Sequence, residues 1–148
     1  MTAGVEGLGK AQAAMKRLTP EMARKIDGAL DKGAQEVSDR AAAIAPKDSG
    51  ELAGAIEVRS GLDGLSGRQS AFVRRIAGRT GGELVRIIGV FAERRGSPGW
   101  YAPFVELGTK KKARRPFLRP AFVTLRRRVQ GRVARAVNAA AKEVARRG

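Results

Sequence analysis

The chain reads as an α+β domain in which a small antiparallel sheet of about three or four strands packs against a long N-terminal helix and a long C-terminal helix. Three observations predict this. A 26-residue stretch from Pro20 to Ala45 repeats apolar residues at steps of three and four, as does a second long stretch after Pro120. Between them, short runs alternate apolar and polar residues, as half-buried strands do. The 148 residues fit one domain, and the absence of Cys and His removes disulfides, thiol chemistry and the usual zinc ligands.

Residues 1–18 read as an N-terminal arm or weak helix, because Gly4, Gly7 and Gly9 each cost about 1 kcal/mol in a helix relative to Ala. Residues 4–11 nearly spell a phosphate-binding loop. Ala11 stands where a magnesium-binding hydroxyl is needed, and no strand precedes the motif, so nucleotide binding is rejected.

Residues 19–148 form the single domain. Thr19-Pro20-Glu21 is a helix start: a hydroxyl cap, Pro at the first helical position and an acid in the first turn. Ile26, Leu30, Gly33 or Ala34, Val37, Ala41 and Ile44 give the helix one apolar stripe, and its Gly and Ala allow close approach by another element. Pro46 ends it. The turn Pro46-Lys47-Asp48-Ser49-Gly50 leads to a short helical turn, Glu51 to Gly54, for which Asp48 or Ser49 is the candidate cap.

Strands are expected at 55–59, at 71–77 and at 83–91, the last two joined by a hairpin turn over 78–82. In the third strand Leu84, Arg86, Ile88 and Val90 share a face that only Arg86 spoils. Tyr101 to Leu107 suits two turns of helix closed by Gly108. The last helix, opened by Pro120, carries a stripe of Phe122, Leu125, Val129, Val133, Val137, Ala140 or Ala141, and Val144, with Arg residues on its other faces.

Between the last two helices lies the most distinctive stretch. Apolar anchors Trp100, Tyr101, Phe104 and Val105 precede it, and Phe117, Leu118 and Phe122 follow it. The basic loop between them, 108–116, holds Lys110, Lys111, Lys112, Arg114 and Arg115 and nothing apolar larger than Ala113, apart from the bounding Pro116. Such a segment cannot bury itself, so it is a surface loop pinned at both ends. The net charge of +16 is concentrated here and beyond: residues 110–148 contribute +13 and residues 1–109 only +3. An acidic neighbour, a polyanion or solvent are the three environments open to the loop. The aromatic residues flank the basic run without interleaving with it, which favours core or inter-subunit packing over base stacking.

Two segments together resemble a known family. Ala45-Pro46-Lys47-Asp48-Ser49-Gly50-Glu51-Leu52, followed by an Ile-Glu-Val strand, is the first. Tyr101-Ala102-Pro103-Phe104-Val105-Glu106-Leu107-Gly108-Thr109, followed by Arg115-Pro116-Phe117-Leu118-Arg119-Pro120-Ala121, is the second. This layout resembles the tailed-phage neck or tail-completion family, the gene-product-ten group of lambdoid-type siphophages, related to lambda minor tail protein Z. The resemblance covers about Thr19 to Arg146, and Ser49 and Leu107 depart mildly from its pattern. It implies a virion structural protein of the head–tail joint, assembled in the bacterial host cytoplasm. Its partners would be further copies of itself in a hexamer or other ring, and neighbouring neck and tail-tube proteins, with non-specific contact to packaged DNA possible. No cofactor is expected; no apolar stretch approaches the ~18 residues of a membrane helix, and without His or Cys catalysis has little support. By the resemblance, the motif and interface residues would be Tyr101, Val105, Glu106, Gly108, Thr109, Pro116, Phe117, Leu118 and Pro120, with Pro46, Asp48, Ser49, Gly50 and Leu52 as a turn motif. A tail terminator ring at the same joint, or a free basic nucleic-acid-binding protein, are the alternatives.

Overall fold

The computed structural model describes residues 19–48, 50–61, 67, 71, 86–92 and 94–147. The N-terminal arm, the phosphate-loop-like stretch, Ser49 and the hairpin turn over 78–82 fall outside them. In order, the elements are α1 (Pro20–Ile44), α2 (Glu51–Gly54), β1 (Ile56–Ser60), β2 (Arg86–Val90), α3 (Ala102–Leu107) and α4 (Leu118–Arg147).

Helix α1 begins as its sequence dictates. The Thr19 hydroxyl accepts the Met22 amide at 3.4 Å, and Pro20 fills a position where no amide partner is needed. Ala45 leaves the helical region ahead of Pro46. The buried face runs through Met22, Ile26, Ala29, Gly33, Ala34, Val37, Ser38 and Ala41.

Helix α4 lies antiparallel along α1, with Lys25 paired to Glu143 at one end and Glu36 to Arg132 nearer the other. Gly33 makes the contact close: a Cβ there would stand 2.6 Å from Val129 Cγ1. Only a residue without a side chain fits that crossing.

The sheet among the described residues has two antiparallel strands, not three or four. Ile56 faces Val90, Val58 faces Ile88 and Ser60 faces Arg86. The strand expected over 71–77 falls outside the described residues except for Ala71, which is helical. Phe72, Val73 and Ile76 follow helical steps as readily as alternation, so spacing alone did not decide that segment.

A two-stranded ribbon is marginal in water and needs support from a neighbouring element. Here α1 supplies it. The two long helices do not lie side by side on the sheet as expected: α4 packs along α1, and α1 in turn meets both strands. Arg86 is part of that contact. It lies on the core face with Ile88 and Val90, its side chain is 5% exposed, and its guanidinium donates to Asp27 and Asp31, one turn apart on α1. The two carboxylates, the Asp31 hydrogen bond foremost, push the guanidinium pKa up.

The main core gathers Val37, Ala41 and Ala45 of α1 and its end, Leu52 of α2, Ala102 of α3, Phe117, and Ala121 of α4. Ile56, Ile88, Val90, Tyr101, Val105, Leu118, Leu125 and Val129 pack around them. Leu52 and Phe117 are fully buried, each contributing about 1.5–3 kcal/mol relative to an exposed side chain. A second cluster of Met22, Ile26 and Ala140 closes the far end of the helix pair.

The expected stripe of α4 needs one correction. Phe122 is 50% exposed and Val137 40% exposed. Leu125, Val129, Ala140 and Val144 of the expected stripe do face the core clusters, and Leu118, Ala121 and Ala136 join them where Phe122 and Val137 were expected. Small residues at 121 and 140 let α4 close on α1, and that rotates the bulkier Phe122 and Val137 to the flank.

Candidate partner interface

The turn motif, α3, the basic loop and the start of α4 converge on one corner of the molecule. Gly50 adopts φ 72° and is the N-cap of α2. No side chain among the described residues caps this helix, so the expected Asp48 cap is not formed: the Asp48 carboxylate instead lies 3.4 Å from Arg115 of the basic loop. Both groups are largely exposed, which holds the pair to about 1 kcal/mol or less. Glu51 reaches the other way, accepting the Gly99 amide at 3.2 Å. Gly99, at φ 71°, passes so close to Val90 and Ala55 that a Cβ would stand 2.7 and 2.8 Å from them. Through Asp48 and the buried Leu52 the first motif segment is tied to the second, and through Glu51 to the loop just ahead of it.

Glu106 holds the second segment together. From the last turn of α3 its carboxylate accepts the amides of Phe117 at 2.8 Å, Leu118 at 3.0 Å and Arg119 at 3.0 Å. These are the unpaired donors at the start of α4. Pro120, next in line, has no amide to satisfy, and the Ala121 amide closes on the Phe117 carbonyl. The helix therefore begins at Leu118, two residues before the position that Pro120 suggested, and its first turn has no orphaned donor. A carboxylate at a helix N-terminus is also favoured by the helix dipole.

The basic loop is a folded turn. Gly108 ends α3 at φ 77°, its amide on the Phe104 carbonyl, and packs so tightly on Arg114 that a Cβ would lie 2.9 Å from the Arg114 amide. The Thr109 hydroxyl accepts the Lys111 and Lys112 amides at 3.3 and 3.0 Å, and the Thr109 amide donates to the Lys112 carbonyl at 2.9 Å. The Arg115 amide then returns to the Val105 carbonyl at 2.8 Å. Gly108 and Thr109 thus do more than end a helix. They fix the path of the whole turn, with Pro116 half-buried and Phe117 fully buried behind it.

Lys110, Lys111, Lys112 and Arg114 are exposed and have no carboxylate partner among the described residues, whereas Arg115 has Asp48. Of the aromatic residues expected to pack, Phe117 is buried, and Tyr101 is half-buried against the core. Phe104 and Phe122 are not core residues, at 53% and 50% exposed. Trp100 stacks edge-on with both Tyr101 and Phe104, ring centroids 6.1 Å apart in each pair, and Arg95 lies 5.1 Å from the Trp100 ring centre. Leu107, 77% exposed, is the residue that sequence reasoning passed over. It stands on the outward face of α3, whereas its neighbours Val105 and Glu106 are half-buried.

No group of three or more His, Cys, Asp or Glu among the described residues is placed to hold a metal, and no helix among them is long and apolar enough to cross a membrane. No curated protein and no solved structure is significantly similar to the chain. One family does match, that described as "Bacteriophage HK97-gp10, putative tail-component", over residues 9–108. The match takes in the turn motif, both strands, α3 and Glu106, and stops at Gly108, so the Pro116–Ala121 segment lies beyond it. The chain belongs to the HK97-gp10-like family of bacteriophage tail components.

Proposed function

We propose that this protein is a neck or tail-completion subunit of the head–tail joint, assembling as a ring around the DNA channel and joining the tail to the filled head. The observation that carries the reading is the corner just described, within a chain of that family. It is a rigid basic turn, clamped by Glu106 and Thr109, beside the exposed apolar residues of α3. Repeated around a symmetry axis, such a corner meets a neighbouring subunit, an adjoining ring or the passing genome. Any contact with that genome would be to phosphates and without sequence choice, as suits a channel through which all of it must move.

Particles made without the protein test this. The proposal predicts filled heads and finished tails that remain unjoined, and joining restored by adding the purified protein. Heads and tails that join normally in its absence would contradict it.

A further inference from the structure

The corner carries two kinds of exposed side chain in one short span. Phe104 and Leu107 are successive outward apolar residues of α3, 53% and 77% exposed. Lys110, Lys111, Lys112 and Arg114 follow on a turn whose backbone is fixed by Thr109 and Gly108. A cationic turn alone suits any anion. An apolar pair at its foot is rewarded only by a partner that brings apolar surface of its own, as interface anchors do.

A second copy offers no unpaired carboxylate among its described residues. Every Asp and Glu among the described residues already has a cationic or hydrogen-bonding partner within the chain. Among the described residues, that favours another molecule as the source of the complement.

We infer that this corner docks an acidic segment of a neighbouring protein, one that carries an apolar side chain onto Phe104 and Leu107 while its carboxylates meet Lys110, Lys111, Lys112 and Arg114. Because the turn is folded beforehand, little backbone ordering opposes binding. The inference rests on the tail-component reading only for the setting, which makes the neighbour another structural protein of the particle.

The test uses the full chain and two labelled peptides of about 16 residues, long enough for one recognition segment. Both have the same Asp and Glu content. One has Leu and Phe at helical spacing, and the other has Gln at those positions. At roughly 0.15 M salt, the inference predicts that the apolar peptide binds about tenfold more tightly or better, the order expected for covering one Leu side chain. Leu107→Ser should erase that difference. The triple variant Lys110→Gln, Lys111→Gln, Lys112→Gln should weaken both peptides.

Equal binding of the two peptides by the unaltered protein overturns the inference, and needs no variant. So does displacement of the apolar peptide by an equimolar duplex of about 20 base pairs, which would make phosphate the occupant. Neither result touches the head–tail joining assay, so a failure here and a failure of the proposed function are told apart.

Discussion

The Glu106 carboxylate stands 3.0 Å from the Leu118 amide and caps a helix on which it does not lie. The flanking amides of Phe117 and Arg119 share the same carboxylate. One side chain therefore sets where α4 begins, orients α3 against it, and closes the basic turn between them.

Glu106→Ala should destabilise the protein by about 2 kcal/mol, since it leaves two partly buried amides and one exposed amide without their acceptor. Glu106→Gln keeps one carbonyl oxygen and should cost roughly half as much. Urea denaturation followed by circular dichroism measures both. Equal midpoints for Glu106→Ala and the unaltered protein would remove the cap from the account.

Arg86 predicts an asymmetry. Its side chain is buried, while Asp27 and Asp31 are 41% and 57% exposed. Arg86→Met leaves two carboxylates that water can reach, and should cost about 1 kcal/mol. The double variant Asp27→Ala, Asp31→Ala strips the helix partners from a buried guanidinium and should cost more, about 3 kcal/mol. The order of the two unfolding midpoints decides the matter.

Gly33 against Val129 predicts non-additivity. Gly33→Val drives branched carbons into a contact where even a Cβ stands 2.6 Å from Val129 Cγ1, and should cost about 2 kcal/mol or more. Val129→Ala costs on its own by leaving a gap. The double variant should lose less than the sum of the two, because each change relieves the other. Strict additivity in a double-mutant cycle would show that the helices do not close there.

The pH dependence follows from Glu36. Its hydrogen bond from Arg132, 2.6 Å long, aided by the charges of Arg128 and Arg132, holds its pKa below the ordinary 4.5. A carboxyl whose folded pKa is depressed stabilises the fold above the unfolded value, and that stabilisation fades as pH falls through the folded value. The difference in unfolding midpoint between the unaltered protein and Glu36→Gln should therefore be full at pH 6–7 and shrink below about pH 4.5. A difference that stays constant down to pH 3 would mean that the bridge is not formed in solution.

The two long helices and the motif turn were legible because their signals are local. Thr19-Pro20, the apolar steps to Ile44 and the stop at Pro46 all act within a few residues. The short helix closed by Gly108 was legible for the same reason. What escaped was set by partners distant in sequence. Pro120 points to a helix start at 120, but the carboxylate of Glu106 moves it to Leu118. Arg86 reads as a flaw in an apolar strand face until Asp27 and Asp31, more than fifty residues earlier, meet it. Phe122 fits a helical stripe as well as Ala121 does, and only the close α1–α4 contact at Gly33 decides which of them is covered. The basic loop was legible as exposed and cationic, and the turn that makes it rigid was not, because it depends on one hydroxyl and one Gly facing Arg114.

The most direct measurement is immunogold electron microscopy of purified particles assembled from the genes that accompany this one. The account predicts gold at the junction of head and tail, with label lost from heads and tails that have not joined. Particles that contain no copy of the chain, or carry it along the tail shaft alone, would contradict a role at the joint.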